Sequence, residues 1–308
     1  MESWSAQRRA IESSEILVNR AGPRSRWSRL PFHVAMAMLK KVVPLTPFYA
    51  RGRRNALDIR LVELELSLVG LPAAFDGYRI LQVTDAHLDF LPELVPVART
   101  VLADLEVDLL AMTGDVRGGY RSPPELSADL LDQALAGVTV RGPRLAVLGN
   151  HDPVEMVAAL ERVGFEVLIN RSLVLRRGED SMRVTGLDDV NSFYTEAALT
   201  ALDDHAGKFR IALVHSAEVA DDADAAGYSL YLSGHTHGGQ IALPNGRPIV
   251  SNLKRCKHAA SGLWRQGRMV GYTSCGLGVS DLPIRFNTRG ELTVMTLRRS
   301  TAVEALTA

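Results

Sequence analysis

The chain has 308 residues, of which 46% are hydrophobic and 23% are charged, and its formal net charge is zero. A chain of this length can bury a substantial core in one large domain or two small ones. The charge of the body does not indicate a nucleic-acid binder, and the lack of any uninterrupted run of 18 apolar residues argues against a membrane-spanning helix.

The N-terminal arm, residues 1–56, carries a large positive charge. Residues 1–54 contain eleven Lys or Arg and three Glu residues, a net charge of +8, so the remainder of the chain carries −8. The apolar run within residues 29–54 is broken by Lys40 and Lys41 and then by Pro44 and Pro47. This pattern is typical of a helix lying in a membrane interface, and a helix packed on the folded body with a solvated basic edge fits it equally. The candidate interfacial anchors are Trp27, Phe32 and Phe48.

An anionic membrane surface is the predicted partner of residues 1–54, and no nucleic acid is expected. The first 15 residues lack an apolar core and are not typical of a signal peptide. The two cysteines, Cys256 and Cys275, lack a metal-binding spacing, and we expect them to be reduced thiols. These features predict a cytoplasmic protein that is peripheral on the inner face of the cell membrane.

From residue 57 onward, apolar strands alternate with helices. The segment IRLVELELSLVG, residues 59–70, alternates apolar and polar side chains and indicates a half-exposed strand. Helices are predicted over residues 97–107, 123–138 and 153–165. Later strands are predicted over residues 167–177, 182–190 and 291–299. We assign residues 57–298 to one domain and residues 299–308 to a C-terminal tail.

Five of the predicted strands end in polar residues that can bind a metal ion. In α/β proteins, ligands bind beyond the carboxyl ends of the strands, where separate loops converge. Five of the eight histidines occupy these ends, while His33, His205 and His258 lie elsewhere. In GHTHGG, alternate residues of an extended segment would point the same way, and the glycines would let the backbone approach a ligand. The polar residues at the strand ends are Asp85, His87, Asp115, Asn150, His151, His215, His235 and His237.

These strand ends read D-x-H (85–87), G-D (114–115), G-N-H-D (149–152), H (215) and G-H-x-H (234–237). In this order they resemble the calcineurin-like metallophosphoesterase family, and the likeness covers about residues 57–298. GHTHGGQ together with the later GLGVSDLPIRF is most similar to the bacterial branch that includes the YkuE- and YaeI-type phosphodiesterases. The resemblance implies an α/β fold, a four-layer αββα sandwich with two sheets face to face and helices outside.

The resemblance also implies two divalent metal ions bridged by Asp115. It places the first ion on Asp85, His87, Asp115 and His237. It places the second ion on Asp115, Asn150, His215 and His235. Carboxylate and imidazole ligands suit Mn, Fe, Zn or Co better than Ca. Water held between two such ions loses a proton near neutral pH, so a metal-bound hydroxide is the expected nucleophile.

Four further residues are candidates for catalysis or substrate binding. His151 follows a ligand and is available to protonate the leaving alkoxide. The resemblance implies that Asp152 holds His151, while an N-cap ahead of Pro153 is the structural alternative. Arg117 and the adjacent Gly118 are candidates for binding a substrate phosphate, and a solvated loop arginine is the alternative for Arg117.

The expected reaction is hydrolysis of a phosphodiester or pyrophosphate. Only 28 residues lie between Val116 and Leu145, so a lid domain is not expected and the site should be open. The open site and the basic arm together suggest a lipid-linked substrate, such as a lipid A precursor of the UDP-2,3-diacylglucosamine type. The alternatives are a soluble phosphodiesterase acting on nucleotides or generic phosphodiesters, and a non-catalytic scaffold of the same fold.

Overall fold

The computed structural model describes residues 2–18, 41–193, 195–203, 207–249 and 251–300, with the side chains of the first helix described over residues 4–12. The described α-helices are α1 (Glu2–Val18), α2 (Pro47–Leu57), α3 (Leu94–Val101), α4 (Pro124–Leu135), α5 (Met156–Arg162), α6 (Glu196–Leu202) and α7 (Ala220–Ala225). The described strands are β1 (Arg60–Val69), β2 (Arg79–Val83), β3 (Leu105–Val107), β4 (Leu109–Thr113), β5 (Val138–Val140), β6 (Arg144–Val147), β7 (Glu166–Val167), β8 (Arg171–Arg177), β9 (Asp180–Gly186), β10 (Arg210–Leu213), β11 (Leu230–Ser233), β12 (Gly262–Gln266), β13 (Met269–Thr273) and β14 (Glu291–Ser300).

Most strands belong to two six-stranded sheets. The first sheet has the order β1-β14-β2-β4-β6-β7, and the second has the order β12-β13-β11-β10-β9-β8. In the first sheet β2, β4 and β6 are parallel neighbours, and in the second β10 and β11 are parallel neighbours. The five strands whose ends carry the predicted polar residues therefore occupy adjacent positions within their sheets.

Three apolar clusters divide the domain into four layers. The cluster between the sheets joins Ile80, Leu109 and Leu145 of the first sheet to Val184, Ile211 and Leu230 of the second. Helices α3, α4 and α5 cover the outer face of the first sheet through Ala98, Leu131 and Leu160. Helices α6 and α7 cover the outer face of the second sheet through Leu202 and Ala223. The predicted αββα sandwich is confirmed.

Two predicted elements are divided in the structure. The helix expected over residues 97–107 ends at Val101, and Asp104, with φ of 60°, turns the chain into β3. The strand expected over residues 167–177 becomes β7 and β8, which lie in different sheets on either side of Asn170, with φ of 49°. Both breaks occur where a non-glycine residue takes the left-handed backbone conformation, for which Asp and Asn are favoured. β14 continues to Ser300, two residues beyond the predicted domain boundary.

Part of the N-terminal arm packs on the folded body. Arg8 of α1 is only 1% exposed and forms an ion pair with Asp188. Gly52 of α2 lies so close to Ile284 that an added Cβ atom would be 2.7 Å from the isoleucine Cβ. Residues 19–40, which include the proposed anchors Trp27 and Phe32, lie outside the described residues. Within the part of the chain that is described, we find no helix long and apolar enough to cross a membrane.

Candidate metal centre

The polar strand ends meet at one edge of the two sheets. Asp85 and His87 follow β2, Asp115 follows β4, and Asn150 follows β6. From the second sheet, His215 follows β10, and His235 and His237 follow β11. The backbone N–H of His235 donates a 2.9 Å hydrogen bond to Oδ2 of Asp85, which joins the two sheets at this edge.

Five of the seven predicted metal ligands have a left-handed backbone, which is uncommon for residues other than glycine. The φ angles run from 41° at His87 to 72° at His235. Such strained residues cluster at functional sites, where the surrounding structure holds them in place. The five residues are Asp85, His87, Asp115, His235 and His237.

The GHTHGG segment is not extended, and the expectation that its two histidines point the same way is wrong. Thr236 has helical backbone angles, and residues His237–Gly239 form a 3-10 turn. His235 consequently faces His215, with 3.2 Å between Nδ1 and Nε2. His237 instead stacks on His87, with ring centroids 5.1 Å apart. The strained turn sends the two imidazoles to different parts of the site.

The glycines beside the ligands permit close backbone approach, as predicted. An added Cβ atom on Gly149 would overlap the carboxylate of Asp115, and one on Gly234 would overlap the carboxylate of Asp85. A Cβ atom on Gly114 would lie 2.7 Å from Nδ1 of His215. Gly149 and Gly234 therefore need glycine because of space, and Gly114 needs it because of space and of its φ angle of 89°.

The first group of possible metal ligands contains Asp85, His87 and His237. Each contributes one atom, and these atoms all lie within 4.8 Å of one another. Nε2 of His237 is 3.3 Å from Oδ1 of Asp85. All three residues are buried, with exposed fractions of 0%, 0% and 7%.

The second group contains Asp85, Asp115 and His215. Nε2 of His215 lies 3.3 Å from Oδ2 of Asp115 and 3.2 Å from Oδ1 of Asn150. Oδ2 of Asp115 is also 3.6 Å from Nε2 of His87, so this oxygen faces both groups. Asp85 belongs to both groups as well, whereas the family resemblance implies that it binds one ion only.

Backbone carbonyls fix the orientation of two imidazoles. Nδ1 of His87 lies 2.9 Å from the carbonyl oxygen of Arg117, and Nδ1 of His215 lies 2.9 Å from that of Thr113. A carbonyl oxygen only accepts, so Nδ1 of each ring carries a hydrogen. Nε2 of the His87 ring then presents its lone pair to the centre, and Nε2 of His215 would do so once a bound cation takes the place of its proton, the usual arrangement of a metal-binding histidine.

Burial keeps three of the histidines neutral. Burial lowers the pKa of His87 to about 4, against an opposing effect of Asp115. Burial, followed by repulsion from His215, lowers the pKa of His235 to about 4. Burial and repulsion from His87 place the pKa of His237 well below its usual value. Neutral imidazole is the form that binds metal.

The two carboxylates differ in their electrostatic environment. Burial raises the pKa of Asp85 to about 6, with His215 opposing the shift. Burial also opposes ionisation of Asp115, but attraction to His215, His151 and His87 outweighs it and holds the pKa of Asp115 well below its usual value. Asp115 is therefore a permanent anion among the histidines. The same pairing with Asp115 outweighs burial and raises the pKa of His215 well above its usual value.

His151 lies beside the two groups. Its Nδ1 atom is 2.8 Å from the carbonyl oxygen of Gly118, which again places a hydrogen on Nδ1 and leaves Nε2 for a ligand or proton. Its ring meets the ring of His87 edge-on at 5.1 Å and stacks on Tyr120 at 4.7 Å. His151 is partly exposed, unlike His87, so it borders the mouth of the site.

Asp152 does not hold the ring of His151, contrary to the expectation from the family resemblance. Its carboxylate accepts hydrogen bonds from the backbone N–H groups of Val116, Arg117 and Gly149. It also does not cap α5, which begins at Met156 after Glu155. Asp152 instead clamps the loop after β4 to the loop after β6.

Arg117 and Gly118 are engaged within the protein. The Arg117 guanidinium donates to the carbonyl oxygen of His151 at 2.9 and 2.7 Å and to that of Tyr120 at 3.1 Å. The N–H of Gly118 donates to Oδ1 of Asp89 at 2.7 Å. Arg117 is only 8% exposed, so it is not a solvated loop arginine, and the substrate contact stays a prediction.

Sequence reasoning missed three residues that touch the site. Tyr120 stacks on His151, and Nδ2 of Asn191 lies 3.3 Å from Nε2 of His235. Arg8 of α1 donates to the carbonyl oxygens of Gly149 and Asp152 at 3.0 and 2.6 Å. None of them lies in a recognisable motif, since each acts through a contact with a residue distant in sequence.

Comparison with known proteins identifies the family of the chain. Residues 78–239, more than half of the chain, match the calcineurin-like phosphoesterase family. The chain belongs to this family. It is 32% identical over 239 residues to the uncharacterized metallophosphoesterase YkuE of Bacillus subtilis, covering 74% of this chain and 82% of YkuE. It is 26% identical over 230 residues to the phosphodiesterase YaeI of Escherichia coli, covering 71% of this chain and 82% of YaeI.

As a calcineurin-like phosphoesterase, the chain is a metal-dependent phosphoester hydrolase that uses two divalent metal ions. The residues present fit two ions. Among the described residues, Oδ1 of Asp85 and Nε2 of His87 are buried without a hydrogen-bond partner, which is costly unless a cation is bound. Nε2 of His215 faces lone pairs of Asp115 and Asn150, an arrangement that a cation stabilises.

Proposed function

We propose that the chain hydrolyses a lipid-linked phosphodiester or pyrophosphate, of the UDP-2,3-diacylglucosamine type, at an anionic membrane surface. In this proposal the first ion is held by Asp85, His87, Asp115 and His237. The second ion is held by Asp115, Asn150, His215 and His235. The meeting of these seven side chains at one edge of the sandwich supports the assignment of a two-metal site.

When bound, two adjacent cations lower the pKa of a water molecule and neutralise charge on the phosphoryl oxygens. The protein supplies the remaining functions. Asp115 keeps its negative charge between the two ligand groups. His151, held through Nδ1 by Gly118, directs Nε2 toward the leaving oxygen and protonates it as charge develops there.

The observation that carries the membrane proposal is a row of exposed apolar side chains at the start of the described domain. Val42, Leu45 and Phe48 are 55%, 85% and 66% exposed. Exposed Lys41 and Arg51 flank the row. Large exposed apolar groups edged by cationic residues favour binding to an anionic lipid surface.

This apolar row is linked to the site through α2. The side chain of Asn55 donates a 2.9 Å hydrogen bond to the carbonyl oxygen of Arg285. The guanidinium of Arg285 in turn donates to the carbonyl oxygen of the ligand His237 at 3.0 Å. Arg53 of α2 forms an ion pair with Glu93, which follows the loop of Phe90. The proposed membrane contact is therefore connected to a ligand of the site by two hydrogen bonds through α2.

The mouth of the site also presents apolar surface. Phe90 is 43% exposed and lies against Gly118, and Tyr120 is 64% exposed and stacks on His151. Two exposed rings beside the proposed acid suit a substrate with an apolar portion. A nucleobase could use the same rings, so nucleotide diesters are the competing substrate class.

A substrate panel tests the proposal. Protein reconstituted with Mn²⁺ is assayed on UDP-2,3-diacylglucosamine in anionic vesicles, on glycerophosphodiesters and on nucleotide diesters. We expect the highest kcat/KM on the lipid-linked substrate and a further increase when anionic lipid replaces neutral lipid. A preference for nucleotide diesters with no effect of vesicles would contradict the lipid proposal and leave the hydrolase assignment intact.

A further inference from the structure

We propose that Arg8 is a positioning residue of the active site, and that helix α1 is consequently a working part of the catalytic unit. The inference rests on the proposed roles of Asn150 and His151. Arg8 touches neither side chain. It acts on the backbone of residues 149–152 that carries both of them.

Arg8 is buried and uses its whole guanidinium. Nη2 donates to the carbonyl oxygens of Gly149 and Asp152 at 3.0 and 2.6 Å, so it brackets the two residues between them. Nη1 pairs with Asp188, and Nε donates to Oε1 of Glu12 at 3.2 Å. A planar, always charged group with a fixed fork of donors can hold several acceptors at once.

Other contacts fix Arg8 in place. Its guanidinium lies over the ring of Phe193, 3.8 Å from the centroid. Trp4 of the same helix donates a 2.7 Å hydrogen bond to Oδ2 of Asp188. Glu12, one turn after Arg8, accepts a 3.1 Å hydrogen bond from the backbone N–H of Val154. Through Arg8 and Glu12, helix α1 thus contacts the loop after β6 near its start, at Gly149, and near its end, at Val154.

Two arginines from distant parts of the chain bind different carbonyl groups of this loop. Arg117 binds the carbonyl oxygen of His151, and Arg8 binds those of Gly149 and Asp152. Asp152 anchors the loop from within by accepting the N–H of Gly149. Loosening one arginine should shift Asn150 and His151 by small distances without unfolding the domain.

Displacement of the loop has two separable consequences. Moving Asn150 weakens one of the two metal positions. Moving His151 reduces proton donation to the leaving group, which matters most when that group is a poor one. A helix that only stabilised the fold would change the fraction of folded protein and would affect all substrates and both ions equally.

The test compares Arg8→Lys, Arg8→Ala and the control Arg9→Ala. Arg8→Lys retains a charge for Asp188 but not the fork that reaches two carbonyls. Arg9 is the adjacent residue, and its side chain is 58% exposed and pairs with Glu155 on the surface. Each variant is titrated with Mn²⁺ by calorimetry, and its melting temperature is measured. Each is also assayed on two phosphodiesters that differ only in the leaving group, which is methoxide in the alkyl ester and p-nitrophenolate in the p-nitrophenyl ester.

For Arg8→Lys we expect the affinity for one of the two ions to fall about 10- to 100-fold, the usual effect of losing a residue that supports a ligand. We expect kcat on the alkyl ester to fall by a larger factor than kcat on the p-nitrophenyl ester. Arg9→Ala should match the wild type in both measurements. Low concentrations of guanidinium ion should partly restore Arg8→Ala.

Wild-type metal affinity and an unchanged ratio of the two rates in a folded Arg8→Lys variant would overturn the inference. An equal loss on both esters that follows the melting temperature would do the same. Failure of the proposed function looks different, because a preference of the wild type for nucleotide diesters over lipid-linked substrates would leave the expected effects of Arg8→Lys on metal affinity and on the two rates unchanged. The metal titration reports on Arg8 in either case.

Discussion

The backbone N–H of His151 donates a 2.8 Å hydrogen bond to Oδ1 of Asp115. The other carboxylate oxygen, Oδ2, faces Nε2 of His215 at 3.3 Å and Nε2 of His87 at 3.6 Å. One side chain thus anchors the proposed acid on one oxygen and faces both groups of metal ligands with the other. The first two predictions follow from this arrangement.

Replacing Asp115 by Asn removes the anion that we place between the two metal ions. An amide cannot present two anionic oxygens, so Asp115→Asn should lose at least one ion and nearly all turnover. Metal analysis and hydrolysis of bis(p-nitrophenyl) phosphate measure the two effects. Asp129→Asn, at a half-exposed surface ion pair with Arg162, is the matched control. A variant with full metal content and the wild-type rate would end the two-metal account of Asp115.

Replacing His151 by Ala separates proton donation from metal binding. His151→Ala should keep its metal content near that of the wild type and lose about 10²- to 10⁴-fold in kcat, the usual contribution of a general acid. The loss should be smaller for p-nitrophenyl esters, because p-nitrophenolate leaves without a proton. If the variant loses metal instead, His151 is a ligand and its assigned role is wrong.

The kinetics of Arg117→Lys distinguish a positioning role of Arg117 from a contact with the substrate. Its guanidinium is occupied by the carbonyl oxygens of His151 and Tyr120. Arg117→Lys should therefore lower kcat about tenfold or more through the position of His151, with little change in KM. The kinetic constants of the variant on bis(p-nitrophenyl) phosphate give the answer. A large increase in KM with kcat retained would support the substrate contact expected from the sequence.

The charge of the arm should control binding to anionic vesicles. Each Lys or Arg near such a surface contributes about 1 kcal/mol, so replacing four arginines by Gln should weaken binding by up to about a thousandfold. The substituted residues are Arg20, Arg24, Arg26 and Arg29. Vesicle sedimentation measures the effect, and hydrolysis of a soluble diester should stay unchanged. The control replaces four exposed cationic residues elsewhere, namely Arg176, Arg247, Lys257 and Arg265. Equal binding by both quadruple variants would show that the arm is not the anchor.

The apolar row should contribute a salt-independent share of the same binding. Leu45→Ser combined with Phe48→Ser removes two of its three exposed side chains. We expect the double variant to bind vesicles more weakly than the wild type, and by the same factor in low and in high salt, because burial of apolar groups is not screened by ions. High salt should instead weaken vesicle binding by the wild type, as the four arginine substitutions do in low salt. Vesicle binding that is unaffected by the double substitution would place the apolar contact elsewhere.

The metal ligands could be predicted from the sequence because residues able to bind a metal occur directly after predicted strands. Asp85, His87, Asp115 and the histidines after β10 and β11 could be named because strand ends of one sheet edge must converge. The order of the four layers could be named because the strand-end motifs resemble those of the calcineurin-like family. The backbone of GHTHGG could not be predicted, because tertiary contacts hold His235 and His237 in a strained conformation.

Contacts between distant segments were also beyond the sequence. Nothing in the residues around Asp152 shows that its carboxylate binds the backbone of Val116 and Arg117. In the sequence, Arg8 is one of eleven basic residues of the arm, and nothing sets it apart from the others. Only the fold shows its contact with the carbonyl oxygen of Gly149. Deleting residues 1–54 would therefore remove part of the active-site support together with the proposed anchor.

The central claim is that two metal ions bind at this edge of the sandwich, with Asp115 facing both. Anomalous diffraction from crystals grown with Mn²⁺ tests it most directly. We expect two peaks about 3.5–4 Å apart, the spacing of two-metal sites that act on phosphoryl groups. One peak should lie beside Asp85, His87 and His237, and the other beside Asn150, His215 and His235. A single peak, or two peaks of which only one touches Asp115, would contradict the account.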